Sequence, residues 1–291
     1  MKELIVTKKY NNKKLDKFLK DNLQNLSNNL FYKTLRKKDI KINGKRVSEN
    51  VTVFENDKIQ VYISDTLLEG SVNLDIIYED KNILLINKPI NIEVTGKNSL
   101  TDVVHRLYKL QEFLPMPCHR LDRNTSGLIL FAKNQTALDI LLDKFKHHEI
   151  EKHYLALVYG VPKKKSERLI SYLFKDSSKS LVYISDVPKK GYQKIITSYS
   201  LIESFVNDTS LLDVEIETGR THQIRAHLAH IGLPIIGDGK YGINEFNKKF
   251  KAKTQKLISY KLIFKFEGDS KILEYLNKKS FELKSGKKLL F

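Results

Sequence analysis

A chain of 291 residues with 41% hydrophobic content is long enough for one large domain and one small domain, each with its own core. Its 51 Lys and Arg exceed its 34 Asp and Glu, and the net charge of +17 favours a polyanionic partner such as nucleic acid. Charge alone would also fit an anionic membrane surface. The single cysteine, Cys118, excludes an intrachain disulfide and indicates a reducing compartment.

No apolar run is long enough to span a bilayer, and the apolar run near the N-terminus is too short for a signal peptide. We therefore expect a cytoplasmic protein that does not enter a membrane. Nothing in the sequence specifies an oligomeric state, and a monomer is the default expectation.

Residues 12–63 have the pattern of a compact α+β module. Apolar residues at helical spacing over 15–23 predict a first helix, and Ser27 can cap a second helix over about 28–35. The pair Asn43-Gly44 lies between two short apolar runs and predicts a β-hairpin. Alternating apolar residues over 59–63 predict a closing strand.

A basic cluster surrounds the second helix and the hairpin of this module. Its members are Lys33, Arg36, Lys37, Lys38, Lys41, Lys45 and Arg46. A solvated charged face is the ordinary explanation for such a cluster. The order helix, helix, basic hairpin, with the sequence Lys-Ile-Asn-Gly-Lys-Arg-Val, is nevertheless similar to the S4 RNA-binding domain. This resemblance implies that the cluster binds RNA phosphates and that residues 1–63 form an S4-like domain.

Residues 64–73 lose periodicity and are predicted to be a linker to a second domain over 74–291. That domain alternates many strand-like runs with few helical ones, and its clearest helix is expected over about 134–147. The predicted strands are Ile83–Asn87, Leu128–Ala132, Tyr154–Tyr159, Ile195–Ser200, Leu211–Glu217 and Leu257–Phe266. The fold class is therefore α+β, with a mainly antiparallel mixed sheet preceded by the small α+β module.

The stretch 118–127 carries the strongest chemical signal. Asp122 stands between Arg120 and Arg123, and nearby positive charge favours the carboxylate anion. Such a group suits a nucleophile or a base. The sequence Asn-Thr-Ser-Gly that follows predicts a turn at the entrance of a buried strand, where catalytic residues are common. A structural Asp–Arg ion pair is an equally good local interpretation.

The sequence His-Arg-Leu-Asp-Arg-Asn-Thr-Ser-Gly, residues 119–127, resembles the signature of the RluA-type pseudouridine synthases, in which the Asp is catalytic. Residues 86–89, Ile-Asn-Lys-Pro, resemble an element that precedes the catalytic loop. That element usually carries Gly two residues after the Pro, whereas this chain has Asn91. Asn tolerates a left-handed backbone, so the turn is expected to survive.

Two further motifs continue the resemblance. Residues 151–156 are similar to the motif whose Tyr lies against the target base, which implies this role for Tyr154. Residues 216–227 resemble the motif whose Arg pairs with the catalytic Asp; the resemblance assigns that role to Arg225, with Arg220 second. Thr218-Gly219 would cap a short helix through His230, and Ile236 would form part of the apolar wall of the uracil pocket.

The resemblance implies isomerisation of uridine in RNA. The target nucleotide has to leave the helical stack, at a cost of about a few kcal/mol. Stacking on Tyr154 would return about 1–3 kcal/mol. Arg120 or Arg123 would fill the vacated stack, and the resemblance favours Arg120. Asp122 would act at the sugar, either by attacking C1′ or by removing the C2′ proton to give a glycal. The residues leave both routes open.

No cofactor is expected. On a helix, His222, His227 and His230 would be too spread around the axis to hold one metal ion, and no phosphate-binding glycine loop is present. The joined S4-like module suggests large-subunit ribosomal RNA as the substrate, with transfer RNA as the runner-up. A non-catalytic RNA-binding or ribosome-assembly protein is the main alternative. A glycoside hydrolase is disfavoured because no motif supplies a second carboxylate.

Overall fold

The computed structural model describes residues 2–23, 26–62 and 74–284. The predicted linker 64–73 and Ile63 of the predicted closing strand lie outside the described residues. The chain divides into two compact units, Met1–Asn73 and Leu74–Phe291. No helix in the described ranges combines the length and the apolar character that crossing a bilayer requires.

The first unit packs two helices against a small antiparallel sheet. The helices are Leu15–Asn22 and Asn28–Arg36, with a 3-10 turn at Lys8–Tyr10. The strands are β1 Lys2–Ile5, β2 Lys13–Lys14, β3 Ile40–Ile42, β4 Lys45–Val47, β5 Thr52–Val53 and β6 Lys58–Val61. The main sheet has the order β1-β6-β3-β4, and β2 pairs separately with β5.

Local sequence chemistry explains this unit. The Ser27 hydroxyl accepts a hydrogen bond from the Leu30 N–H at 3.2 Å, which confirms the predicted cap of the second helix. Asn43 and Gly44 both have positive φ, 50° and 81°, as a two-residue hairpin loop between right-twisted strands requires. Both helices bury their apolar residues against the sheet, so one continuous core forms.

Eleven strands of the second unit form one sheet. They are β7 Asp75–Glu79, β8 Ile83–Lys88, β9 Met116–Pro117, β10 Ser126–Ala132, β11 Ile150–Tyr159, β12 Ser166–Asp176, β13 Leu181–Ser185, β14 Gln193–Phe205, β15 Thr209–Ile216, β16 Leu257–Phe264 and β17 Ser280–Glu282. The order is β13-β12-β14-β15-β11-β16-β10-β8-β7, with β17 on β16 and β9 on β10. Only β10 and β16 pair in parallel among the described strands, so the expected mainly antiparallel mixed sheet is confirmed.

Helices cover both faces of this sheet. They are Leu100–Leu107, Gln135–Lys146, Gln223–His230 and Asn244–Lys249, with a 3-10 segment at Lys271–Leu276. Alternate residues of β10 belong to two different apolar clusters, because successive side chains of a strand point to opposite faces. Helices Leu100–Leu107 and Gln223–His230 contribute to the cluster that contains Tyr154, and helix Gln135–Lys146 contributes to the other.

Two details differ from the sequence-based expectation. The apolar spacing over 134–147 predicts Leu142 on the packed face of the helix, but its side chain is 46% exposed. Leu141 is buried as expected, and Ala137 and the stem of Lys144 are buried in place of Leu142. The Lys144 ammonium pairs with Glu149 at 2.6 Å. Strand β11 begins at Ile150 rather than at the predicted Tyr154, because its first residues pair with Phe264 and its neighbours on β16.

Candidate active site

Asp122 lies on a loop that ends four residues later in the buried strand β10, as the sequence predicted. The Thr125 N–H donates to the Asp122 carbonyl oxygen at 3.1 Å and closes the turn. Gly127 has φ 114°, and a Cβ at this position would lie 2.1 Å from the carbonyl oxygen of Ser259. Glycine is therefore required where β10 meets β16, directly behind the Asp122 loop.

Arg225, in helix Gln223–His230, provides the charge that contacts the Asp122 carboxylate. Its Nη1 donates to Asp122 Oδ2 at 3.0 Å across a sequence separation of 103 residues. The local ion pair with Arg120 or Arg123 is not formed among the described residues. Arg123 Nε instead donates to the Asn91 carbonyl oxygen at 3.3 Å, and Asn91 adopts the expected left-handed backbone with φ 67°.

A second carboxylate holds the same guanidinium. Arg225 Nε donates to Asp238 Oδ2 at 2.7 Å, and Nη2 donates to Oδ1 at 3.0 Å. Asp238 is fully buried, and its Oδ1 also accepts the backbone N–H groups of Lys240 and Tyr241. Burial raises the pKa of Asp238, but the hydrogen bonds and charge of Arg225 outweigh this and lower it. Asp238 thus remains charged and fixes the plane of the guanidinium that faces Asp122.

Lys88 holds the Asp122 loop through hydrogen bonds to backbone carbonyl groups. The side chain is fully buried at the end of β8, and its Nζ donates to the carbonyl oxygens of Pro89, Ile92 and Arg123 at 2.9, 2.9 and 3.1 Å. Burial lowers the pKa of Lys88 to about 8, while the charge of Asp122 acts in the opposite direction. One ammonium therefore joins the 89–92 turn to the residue that follows Asp122.

Two adjoining cavities share the Asp122 wall. The smaller, about 90 Å³, includes Tyr154, Ile216, Leu257 and Arg220 in its lining. The larger, about 590 Å³, is lined by polar and basic residues that include Arg123, Lys240 and Lys253, together with Glu93. The residues common to both, here called the shared rim, are Arg120, Leu121, Asp122, Thr221, His222 and Arg225.

Tyr154 lies in β11 between Val214 of β15 and Ser259 of β16, and its side chain is 5% exposed at the wall of the smaller cavity. Burial raises its pKa, and the negative charge of Asp122 raises it further, so the phenol stays protonated. The structure therefore brings Asp122, Tyr154 and Arg225 around one cavity, while Arg120 and Arg220 are exposed at its edge.

Ile236, predicted to form part of the apolar wall of the uracil pocket, lines neither of these two cavities. It is buried elsewhere: its N–H donates to the Leu157 carbonyl oxygen, and its own carbonyl accepts the Lys256 N–H. Ile216 and Leu257 contribute to the apolar wall in its place. The backbone of Ile236 pairs with Leu157 of β11, and the preceding residue, Ile235, forms a bridge with Val158.

The predicted cap of helix Gln223–His230 is also wrong. The capping position is His222, with φ 54° and ψ 17°, rather than Thr218-Gly219. The Thr218 hydroxyl instead accepts the Ile196 N–H at 3.0 Å and donates to Gln223 Oε1 at 2.9 Å. Thr218 thus ties β14 to the first residue of the helix that carries Arg225.

Three residues of the site were missed or left without a role by sequence reasoning: Lys88, His222 and Asp238. Asp238 follows the apolar run Leu233–Ile236 and a glycine. A carboxylate directly after a buried segment was the sequence feature that could have indicated its role. The other two lie inside motifs that were noted but not interpreted residue by residue. Within the described ranges, no three His, Cys, Asp or Glu side chains come close enough to hold a metal ion.

Comparisons with known proteins identify the family of the chain. The family model described as RNA pseudouridylate synthase matches residues 82–230, about half of the chain. The chain belongs to this family. Its members are isomerases, and the assignment confirms the resemblance drawn from the motifs. The matched range contains Asp122, Tyr154 and Arg225, whereas Asp238 lies beyond it.

Curated relatives support the same assignment. A ribosomal large subunit pseudouridine synthase C of Buchnera aphidicola is 34% identical over 267 residues, which cover 85% of this chain and 83% of that protein. An uncharacterized RNA pseudouridine synthase of Mycoplasma capricolum is 35% identical and covers 96% of both chains. The solved structure of human RNA pseudouridylate synthase domain containing 4 shares the fold, with a TM-score of 0.57 at 24% identity over 68% of this chain and 87% of that one.

Proposed function

We propose that Asp122 carries out the sugar chemistry of a pseudouridine synthase and that Arg225 holds its carboxylate in one orientation. The observation that carries this proposal is the 3.0 Å contact between the two side chains at the wall of the cavity that contains Tyr154. In the reaction the N1–C1′ bond breaks and a C5–C1′ bond forms. The C5 hydrogen leaves as a proton, and N1 gains one.

Tyr154 is proposed to receive the face of the flipped uracil, with its protonated hydroxyl near C5. Base–aromatic stacking contributes about 1–3 kcal/mol, which offsets much of the cost of removing a base from the stack. Arg120 is exposed at the shared rim and forms no ion pair among the described residues, so its guanidinium is free to fill the space that the uridine leaves. Arg123 and Arg220 would contact the substrate around it.

We propose large-subunit ribosomal RNA as the substrate and the cytoplasm as the location. Two features support this: the names of relatives that are aligned over most of their length, and a net charge of +17 suited to a large polyanion. Transfer RNA is the other candidate polyanion. A non-catalytic RNA-binding protein would not need to keep Asp122, Tyr154 and Arg225 together.

The substrate class is tested by tritium release from [5-³H]uridine-labelled RNA, because C5 loses its hydrogen when it bonds to C1′. Ribosomal and transfer RNA pools lacking the modification are incubated separately with the full chain. We expect release from the ribosomal pool at least about tenfold faster than from the transfer pool. Faster release from transfer RNA would overturn the ribosomal assignment, and no release from either pool would contradict the enzymatic one.

We further propose that the first unit binds RNA phosphates through its basic cluster, as an S4-like module would. Among Lys33, Arg36, Lys37, Lys38, Lys41, Lys45 and Arg46, all but the half-buried Lys41 are exposed. None of the seven forms a salt bridge with a described residue, although Lys41 lies over the Tyr62 ring at 5.2 Å. Cations without a carboxylate partner, on a helix and a hairpin, suit phosphate binding better than a charge-balanced surface does.

The triple variant Lys37→Gln, Lys38→Gln, Arg46→Gln tests this surface. We expect weaker binding to ribosomal RNA and a flatter dependence of log K on log salt, by about 0.7–0.9 for each phosphate that the variant no longer neutralises. The control is Lys8→Gln with Lys9→Gln, two exposed lysines outside the cluster. Equal salt slopes for the two variants would show that the cluster is an ordinary solvated face.

A further inference from the structure

His222 has an unusual backbone at the shared rim. Its φ of 54° and ψ of 17° are left-handed, a conformation that side chains other than Gly, Asn, Asp and His rarely adopt. The residue is half-buried and contributes to the lining of both cavities beside Asp122. Backbone strain of this kind is found where a side chain has to be held in one place for function.

The hydrogen bonds of Tyr241 define which nitrogen of the His222 imidazole carries the proton. His222 Nδ1 lies 2.9 Å from the Tyr241 hydroxyl oxygen, and that oxygen already accepts the Val182 N–H at 2.9 Å. The Tyr241 hydroxyl hydrogen has no other acceptor among the described residues, so it donates to Nδ1. Burial lowers the pKa of His222, so the imidazole is neutral at pH 7. In this tautomer Nε2 carries the hydrogen.

Nε2 has no hydrogen-bond partner in the described part of the chain. It is not one of the fully buried polar atoms that lack a partner, so solvent or a ligand can reach it. Its hydrogen is therefore available to a ligand in the cavities. The two cavities differ in chemistry: one carries Tyr154 and apolar walls, and the other carries Arg123, Lys240 and Lys253. A nucleotide whose base enters the first and whose phosphates follow the second has its ribose at the shared rim.

Three side chains of the rim cannot serve that ribose: Arg225 is engaged by both Asp122 and Asp238, Leu121 is apolar, and Asp122 only accepts. Arg120 and Thr221 can donate. Arg120 is proposed above to fill the space that the uridine leaves, and His222 differs from Thr221 because its hydrogen bond with Tyr241 fixes the ring. We infer that His222 Nε2–H donates a hydrogen bond to the 2′-hydroxyl oxygen of the target uridine, and that His222 thereby selects ribose over deoxyribose. This inference rests on the proposed function. A 2′-hydroxyl is the group by which a protein distinguishes RNA from DNA at one position.

The test measures binding in the Asp122→Ala background, where turnover does not interfere. The probe is a stem-loop RNA containing a uridine modified by wild type, compared with the same stem-loop carrying 2′-deoxyuridine at that one position. With His222 present, we expect the deoxy substitution to weaken binding by about 2- to 12-fold, the effect of one neutral hydrogen bond. With His222→Phe, which keeps the ring bulk but has no donor, we expect the two probes to bind equally.

His222→Gln restores a donor and is expected to restore part of the discrimination; it also provides a second reading if the Phe variant folds poorly. An equal deoxy penalty in the His222 and His222→Phe proteins would overturn the inference, and so would the absence of a penalty in both. Tritium release from the all-ribose stem-loop by wild type is measured beforehand. Its failure would contradict the proposed function, independently of the binding comparison.

Discussion

Replacing Asp122 by Ala is expected to remove tritium release from [5-³H]uridine RNA entirely, a loss of at least about 10⁴-fold, while RNA affinity changes by no more than a few-fold. A positioned group that moves a proton contributes about 10²–10⁴-fold, and the loss of a nucleophile removes the covalent route altogether. Asp122→Asn keeps the shape but not the charge, so it is expected to be equally inactive. Both variants are expected to fold, because Asp122 is only half-buried and Arg225 keeps its two hydrogen bonds with Asp238.

Asp143→Asn serves as the matched control, because it removes one carboxylate from an exposed position of helix Gln135–Lys146. We expect this variant to keep wild-type activity. Activity in Asp122→Ala above a few per cent of wild type would contradict the assignment of Asp122. Loss of RNA binding together with activity would indicate a structural role instead, in line with the local ion-pair interpretation.

Replacing Asp238 by Ala is expected to lower the free energy of unfolding by about 3 kcal/mol and to reduce kcat by about 10²-fold. Removing one partner of a buried ion pair costs about 3–5 kcal/mol, and the lower end applies because Arg225 keeps Asp122. The kinetic loss follows because the freed guanidinium no longer holds the Asp122 carboxylate in one orientation. Urea unfolding and single-turnover kinetics measure the two effects.

Glu282→Gln provides the contrast, since Glu282 is 53% exposed and lies 3.5 Å from Lys261. Surface pairs of this kind contribute less than about 1 kcal/mol. If Asp238→Ala costs no more stability than Glu282→Gln, Asp238 does not hold a buried charge. If stability falls but kcat is unchanged, the carboxylate supports the fold and does not orient Arg225 for catalysis.

Local chemistry predicted the parts of the site that depend on neighbouring residues. The turn after Asp122 and the strand it leads into follow from a few adjacent side chains. The left-handed Asn91 was expected because the family usually has Gly at this position and Asn tolerates the same backbone. The pairing of Asp122 with Arg225 spans 103 residues, and only the family resemblance predicted it. Periodicity does not specify which distant guanidinium approaches a given carboxylate.

The errors share one physical cause, which is tertiary contact overriding local preference. Thr218 has capping chemistry, yet its hydroxyl is used by Ile196 and Gln223, and the helix begins at a strained His222 instead. Ile236 is apolar, but its backbone pairs with Leu157 of β11 and it lines neither cavity. Asp238 had no predicted role because its partner, Arg225, lies 13 residues earlier in the chain and in a different element. Only the folded structure brings the two side chains together.

Nucleotide-resolution mapping of pseudouridine tests the central claim most directly. An unmodified large-subunit ribosomal RNA transcript is incubated with wild type or with Asp122→Ala, and pseudouridines are located by carbodiimide labelling and primer extension. We predict discrete labelled uridines after wild-type treatment and none after treatment with the variant. Identical maps for the two proteins, or no pseudouridine with wild type, would contradict the account of Asp122 as the catalytic residue of a ribosomal RNA pseudouridine synthase.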